Sequence, residues 1–214
     1  MIISPGRNFI FVHIPKTGGT SLALALEARA MKDDILIGDT PKARKRKARL
    51  KGVQTQGRLW KHATLADIDG LVTPAFIAQA FVVTLVRNPW DRVASLYHWL
   101  QDQTFDHPMV QRAKALSFDA FLRDGATQAA LQAHPYSSYV CRSDGQMQTA
   151  TYIRLEQFEQ DAAPLWDHLG FELALPHENQ SQRPARYQDV YDSDSRDLIG
   201  HLCAQDITRF DYHF

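Results

Sequence analysis

Phe9-Ile10-Phe11-Val12-His13-Ile14-Pro15-Lys16-Thr17-Gly18-Gly19-Thr20-Ser21 is the stretch that most narrows what this chain can fold into. An apolar run of strand length meets a proline, a Lys-Thr-Gly-Gly-Thr-Ser turn follows, and a helix-forming run extends from Leu22 to Met31. Strand, turn and helix in that order belong to an α/β chain, and the turn has the chemistry of an anion cradle. Two glycines let backbone N–H groups approach an anion, while the helix aims its free amides and partial positive charge at the same place. Lys16 adds a mobile point charge, and the hydroxyls of Thr17, Thr20 and Ser21 add donors. The plainer alternative is a tight turn whose glycines serve the backbone alone, with Ser21 capping the helix. The turn lacks Walker A spacing: Lys16 precedes the glycine pair and nothing replaces the first glycine.

A second run, Ala80 to Val86, is continuously apolar, as in a parallel strand buried on both faces. It leads into Arg87-Asn88-Pro89-Trp90-Asp91, in which Asn88 can cap a helix, Pro89 suits its first position and Asp91 its first turn. Val93, Leu96, Tyr97 and Leu100 then form an inward helical stripe, and Arg92, Ser95 and Trp99 share a different face. A strand that ends in Arg offers magnesium no acidic group, which weighs against a kinase or NTPase.

The 214 residues suit one domain spanning 1–214, and 44% hydrophobic with 22% charged residues is ordinary for a globular protein. With 24 basic and 24 acidic residues, net charge supplies no argument for nucleic acid or a membrane as partner. Cys141 and Cys203 have no metal-like spacing and read as reduced thiols. Without an export signal or a stretch of roughly 18 to 20 apolar residues, the chain is expected to be soluble and cytoplasmic.

Between these two strands, seven of the ten positions from Lys42 to Lys51 are basic. They read as a solvated loop or frayed helix, or as a docking surface for a polyanionic glycan. Thr64 is expected to cap a helix opening at Leu65, which places His62 where such a scaffold often carries a reactive side chain. Farther on, Ser117 is expected to cap a helix stopped by Gly125, and Thr151 to Leu155 to form a strand. A helix from Phe158 to Leu169, ended by Gly170, and a last helix from Asp194 to Thr208 complete the reading.

Four blocks in order resemble the sulfotransferases, in particular the branch with the carbohydrate 2-O-sulfotransferases and their small bacterial relatives. They are Phe11 to Ser21, Lys61-His62-Ala63-Thr64, Val86 to Arg92 with Ser95 and Tyr97, and the tail from Asn179-Gln180-Ser181 through Asp206 to Tyr212. The resemblance implies a P-loop-like, three-layer α/β domain with a central parallel sheet flanked by helices. It implies 3′-phosphoadenosine 5′-phosphosulfate as donor, without a metal, and a hydroxyl acceptor on a glycan or glycolipid. Lys16, Thr17, Gly18, Gly19, Thr20 and Ser21 would hold the 5′-phosphosulfate, Arg87 and Ser95 the 3′-phosphate, and Ser181 and Arg183 would lie in the C-terminal donor loop. His62 matches the branch's base, with His177 as its rival, and His13 reads as structural. A phosphotransferase using ATP and magnesium, or a non-catalytic nucleotide- or polyanion-binding module, are the competing readings.

Overall fold

The computed structural model describes residues 1–174 and 186–214. His177, Ser181 and Arg183 therefore lie outside the described residues. Five strands are present among the described residues: β1 (Ile2–Ser4), β2 (Phe9–Val12), β3 (Ile35–Leu36), β4 (Phe81–Val86) and β5 (Ala150–Arg154). The α-helices run as α1 (Gly19–Ala28), α2 (Pro41–Arg46), α3 (Pro74–Gln79), α4 (Pro89–Gln101), α5 (Pro108–Ala115), α6 (Phe118–Arg123), α7 (Gly125–Ala133), α8 (Phe158–Asp161), α9 (Ala163–Leu169), α10 (Ser193–Leu202) and α11 (Ala204–Phe210).

The chain packs as two compact units, one of Met1–Val86 with the described part of Tyr136–Glu178, the other of Arg87–Pro135 with the described part of Asn179–Phe214. The first unit holds a mixed sheet in the order β3-β1-β2-β4-β5. Its centre, β2-β4-β5, is parallel as the apolar runs predict, with Phe11 opposite Val83 and Val83 opposite Thr151. β1 adds antiparallel to both β2 and β3. Three residues are too few to show a period-two pattern, so the sequence gives no warning of β1; Asn8, left-handed at φ 50°, makes the reversal into β2. Phe9, Phe11, Leu22, Leu26, Val83, Leu85, Ile153 and Leu165 form the core around the sheet.

In the second unit α4 begins as expected, with Asn88 accepting from the Trp90 N–H at 3.1 Å and Pro89 at the first helical position. Its stripe packs with Val110, Phe121 and Ile199 into a separate core.

Several boundaries differ from the sequence expectation. α1 starts at Gly19 rather than Leu22, so Ser21 sits inside the first turn and caps nothing. Leu65 opens no helix; the Thr64 N–H and hydroxyl both donate to Asp67, closing a single turn. Gly125 starts α7 instead of stopping α6, because Asp124 caps it by accepting from the Ala126 and Thr127 N–H groups. The segments read as single helices at 158–169 and 194–208 are each split, at Ala162 and Cys203.

Candidate active site

The loop joining β2 to α1 is held from below. The Thr84 hydroxyl donates to the Val12 carbonyl at 2.8 Å, which anchors the end of β2 to its parallel neighbour. Lys16 and Gly18 both adopt left-handed backbone, at φ 65° and 82°. A lysine there is strained, and such strain persists only where the surrounding structure imposes it, often at ligand clamps. Alternating backbone handedness points successive N–H groups into one concavity, the geometry that suits an anion. The N-cap of α1 is Gly18, which brings no side-chain cap, and the partial positive end of the helix lies at this turn.

Thr17 departs from expectation. It is fully buried and its hydroxyl donates to the Ile14 carbonyl at 2.9 Å, so its one hydroxyl proton braces the loop instead of facing an anion. Thr20 and Ser21 are half-buried on the first turn of α1.

The two glycines have different reasons to be there. Gly18 is left-handed, and a Cβ on it would lie 2.7 Å from Leu155 Cδ1. Gly19 has an ordinary φ, but a Cβ there would run into the His13 imidazole edge, at Cδ2 and Nε2.

His62 lies beside this loop in the same unit. Its Nδ1 is 2.8 Å from the His13 carbonyl; since a carbonyl only accepts, Nδ1 carries the hydrogen and Nε2 presents the lone pair. The ring meets His13 edge-on at 4.7 Å and Trp60 at 5.1 Å. Burial pushes its pKa down to about 4, the bond to the His13 carbonyl and the charge of Asp39 acting against this and Lys61 and the N-terminal amine with it. That amine donates to the Ile37 and Lys61 carbonyls at 2.9 and 3.0 Å, tying the main chain beside His62 to the sheet edge. His13 is itself buried against Phe11, and burial first, then His62, holds it well below the ordinary histidine range. The sequence alone carried no sign that the residue just after β2 orients a histidine 49 positions away.

Trp60 is 43% exposed, with the Arg58 guanidinium 5.6 Å above its ring. Nearby, the basic run has a partly structural explanation. Lys42 donates to the Glu27 carbonyl, Arg46 to those of Met31 and Asp34 at 2.8 and 2.9 Å, and Arg49 to that of Lys32 at 2.6 Å. Lys42 thereby serves the C-terminal end of α1, where carbonyls lack helical partners and the dipole is negative, while Arg46 and Arg49 tie down the loop that follows the helix. Arg44, Lys45, Lys47 and Lys51 remain exposed.

Arg87 and Ser95 belong to the second unit. Arg87 follows the last residue of β4, and its Nε and Nη2 donate to Asp91 Oδ2 at 2.7 and 2.6 Å. Ser95 is buried on α4. Arg92 lines a cavity of about 150 Å³ in this unit with Asp206 and Cys203, and burial pushes the Cys203 thiol up to about 11, so it stays protonated.

A parallel sheet centre whose first strand runs through a glycine turn into a helix defines an α/β protein with the kind of turn that suits a phosphate. Within that class the assignment is specific: the sequence model described as Sulfotransferase family matches residues 1–213, and the chain belongs to that family. Among solved structures, that of mouse sulfotransferase SULT7A1 complexed with PAP is similar at 14% identity and a TM-score of 0.49, covering 98% of this chain and 87% of that one. No curated protein matches the chain. Among the described residues no helix is long and apolar enough to cross a membrane.

Proposed function

We propose that this sulfotransferase moves the sulfuryl group of 3′-phosphoadenosine 5′-phosphosulfate to a carbohydrate hydroxyl, with His62 as general base. The observation that carries this reading is the pairing, in one unit, of an anion loop with a neutral imidazole whose lone pair is at Nε2. Sulfuryl transfer needs an alcohol to lose a proton, an in-line arrangement, and neutralisation of charge growing on the leaving phosphate. His62 Nε2 takes the proton. Lys16 and the α1 amides meet the charge.

Family resemblance supports Arg87 and Ser95 as holders of the 3′-phosphate, and Thr17 joins the donor site through its main chain because its hydroxyl is engaged. The carbohydrate reading is supported by Trp60, an exposed indole packed on His62, which offers a flat apolar face to the C–H side of a sugar ring. The exposed cations Arg44, Lys45, Lys47 and Lys51 suit an acceptor that bears negative charge.

Calorimetry with adenosine 3′,5′-bisphosphate and with ATP plus magnesium tests the donor: the bisphosphate should bind and ATP-Mg should not, and the reverse pattern would defeat the reading. A screen of neutral and acidic glycans with labelled donor then tests the acceptor, and transfer confined to non-carbohydrate alcohols would sink that part.

A further inference from the structure

We propose that His13 is a positioning residue whose imidazole acts as a spacer between the base His62 and the first residue of the phosphate loop's helix, so that the glycine at 19 is required by His13 rather than by backbone conformation. The inference rests on the proposed sulfuryl-transfer reading and goes beyond it, since resemblance alone makes His13 no more than a core histidine.

Three contacts carry it. The His13 carbonyl takes the Nδ1–H of His62 at 2.8 Å and so sets which nitrogen of the base is free. The His13 ring stands edge-on to the His62 ring at 4.7 Å. Its Cδ2–Nε2 edge fills the space that a side chain at position 19 would need. One residue therefore touches the base with both main chain and side chain, and touches the first residue of α1 as well. His13 is 6% exposed and stacks on Phe11, so the spacer cannot swing aside. A shift of the His13 ring is therefore felt by both the base and the loop, and a displacement of about 1 Å between a catalytic group and its reactant can cost on the order of a hundredfold in rate.

The charge arrangement agrees. The groups facing His62 are His13, Lys61, Asp39 and the N-terminal amine. When Nε2 takes the acceptor's proton, a neutral His13 leaves the new imidazolium with a polarisable neighbour; a charged one would oppose it. His13 also covers one side of the His62 ring from water.

A double-mutant cycle tests the spacer. Gly19→Ala should lower kcat at least about tenfold in the wild-type background, because its methyl displaces the His13 ring. In a His13→Ala background the methyl enters vacated space, so the same substitution should cost less than about threefold. Equal losses in both backgrounds overturn the proposal. The second arm needs no turnover: proton and nitrogen NMR titration of His62 in the free protein. His13→Ala keeps the carbonyl, so His62 should stay protonated at Nδ1, while its pKa should rise by about one unit or more as water reaches the ring. An unchanged titration overturns the proposal even if kcat falls. His13→Asn provides a polar replacement should the alanine variant fail to fold. If the wild type transfers no sulfuryl group yet the NMR arm behaves as expected, the reaction assignment fails and the spacer stands.

Discussion

His62 gains its role from its surroundings. With a pKa of about 4 it is neutral in essentially every molecule at pH 7, although a base this weak gains little driving force from the proton it accepts. The acidic limb of kcat/KM should therefore fall near pH 4 and not near the ordinary 6.5, and a limb at 6 to 7 that vanished in His62→Ala would contradict the assignment of its environment. His62→Ala should lower kcat about 10²- to 10⁴-fold and leave the affinity for adenosine 3′,5′-bisphosphate within a few-fold, because the base acts on the acceptor. Lys16→Ala should damage donor binding and turnover together, on the order of a hundredfold in kcat. Arg87→Ala should weaken the 3′-phosphorylated nucleotide far more than its analogue lacking that phosphate; equal weakening would remove Arg87 from the donor site.

The glycine turn and the basic helix show how a segment's environment sorts residues of one type into different tasks. Gly18→Ala places a side chain at φ 82° with its Cβ 2.7 Å from Leu155 Cδ1, and should cost about 2 to 4 kcal/mol of stability from backbone strain and overpacking. Gly52→Ala, at a similar φ of 79° but with nothing within 4 Å of the new Cβ, should cost only about 1 to 2 kcal/mol. Denaturant unfolding of both variants separates strain from crowding. In the basic run, Arg46→Ala removes donors to two carbonyls and should destabilise by about 1 to 2 kcal/mol, whereas Lys45→Ala on the exposed side should stay within about 0.5 kcal/mol.

At the scale of the whole molecule, two histidines held neutral by burial make stability depend on pH. Both have folded pKa values depressed below the unfolded value of 6.5, so above 6.5 neither state binds the proton and no penalty exists. As pH falls from 6.5 toward 4, the unfolded chain binds protons that the folded chain does not, and stability drops by up to about 1.4 kcal/mol per pH unit for each histidine. Between pH 7 and 5 the His62 contribution alone comes to about 2 kcal/mol. Urea unfolding at both pH values should show wild type losing about that much more than His62→Gln; identical losses would show that His62 is not desolvated in the folded state.

Local pattern alone was enough for the order strand, turn, helix that begins at Phe9, though not for the helix's bounds, and for the buried run ending at Val86 and the Asn88-Pro89 helix start, because apolar period, glycine and capping side chains act over a few residues. It was also enough to mark Lys16 and His62 as candidates and, through four blocks in order, to point to the family that the match over residues 1–213 establishes. Pattern could not show that Thr17 turns its hydroxyl inward, that three cations of the basic run bind carbonyls at the end of α1 and in the loop after it, or that Gly19 is small because His13 leans on it. Each of those depends on groups distant in the chain, or on which way a side chain turns, meeting within hydrogen-bond or van der Waals distance. The protonation site of His62 belongs to the same set: it was decided by one carbonyl 49 residues earlier, which only the folded sheet brings to 2.8 Å.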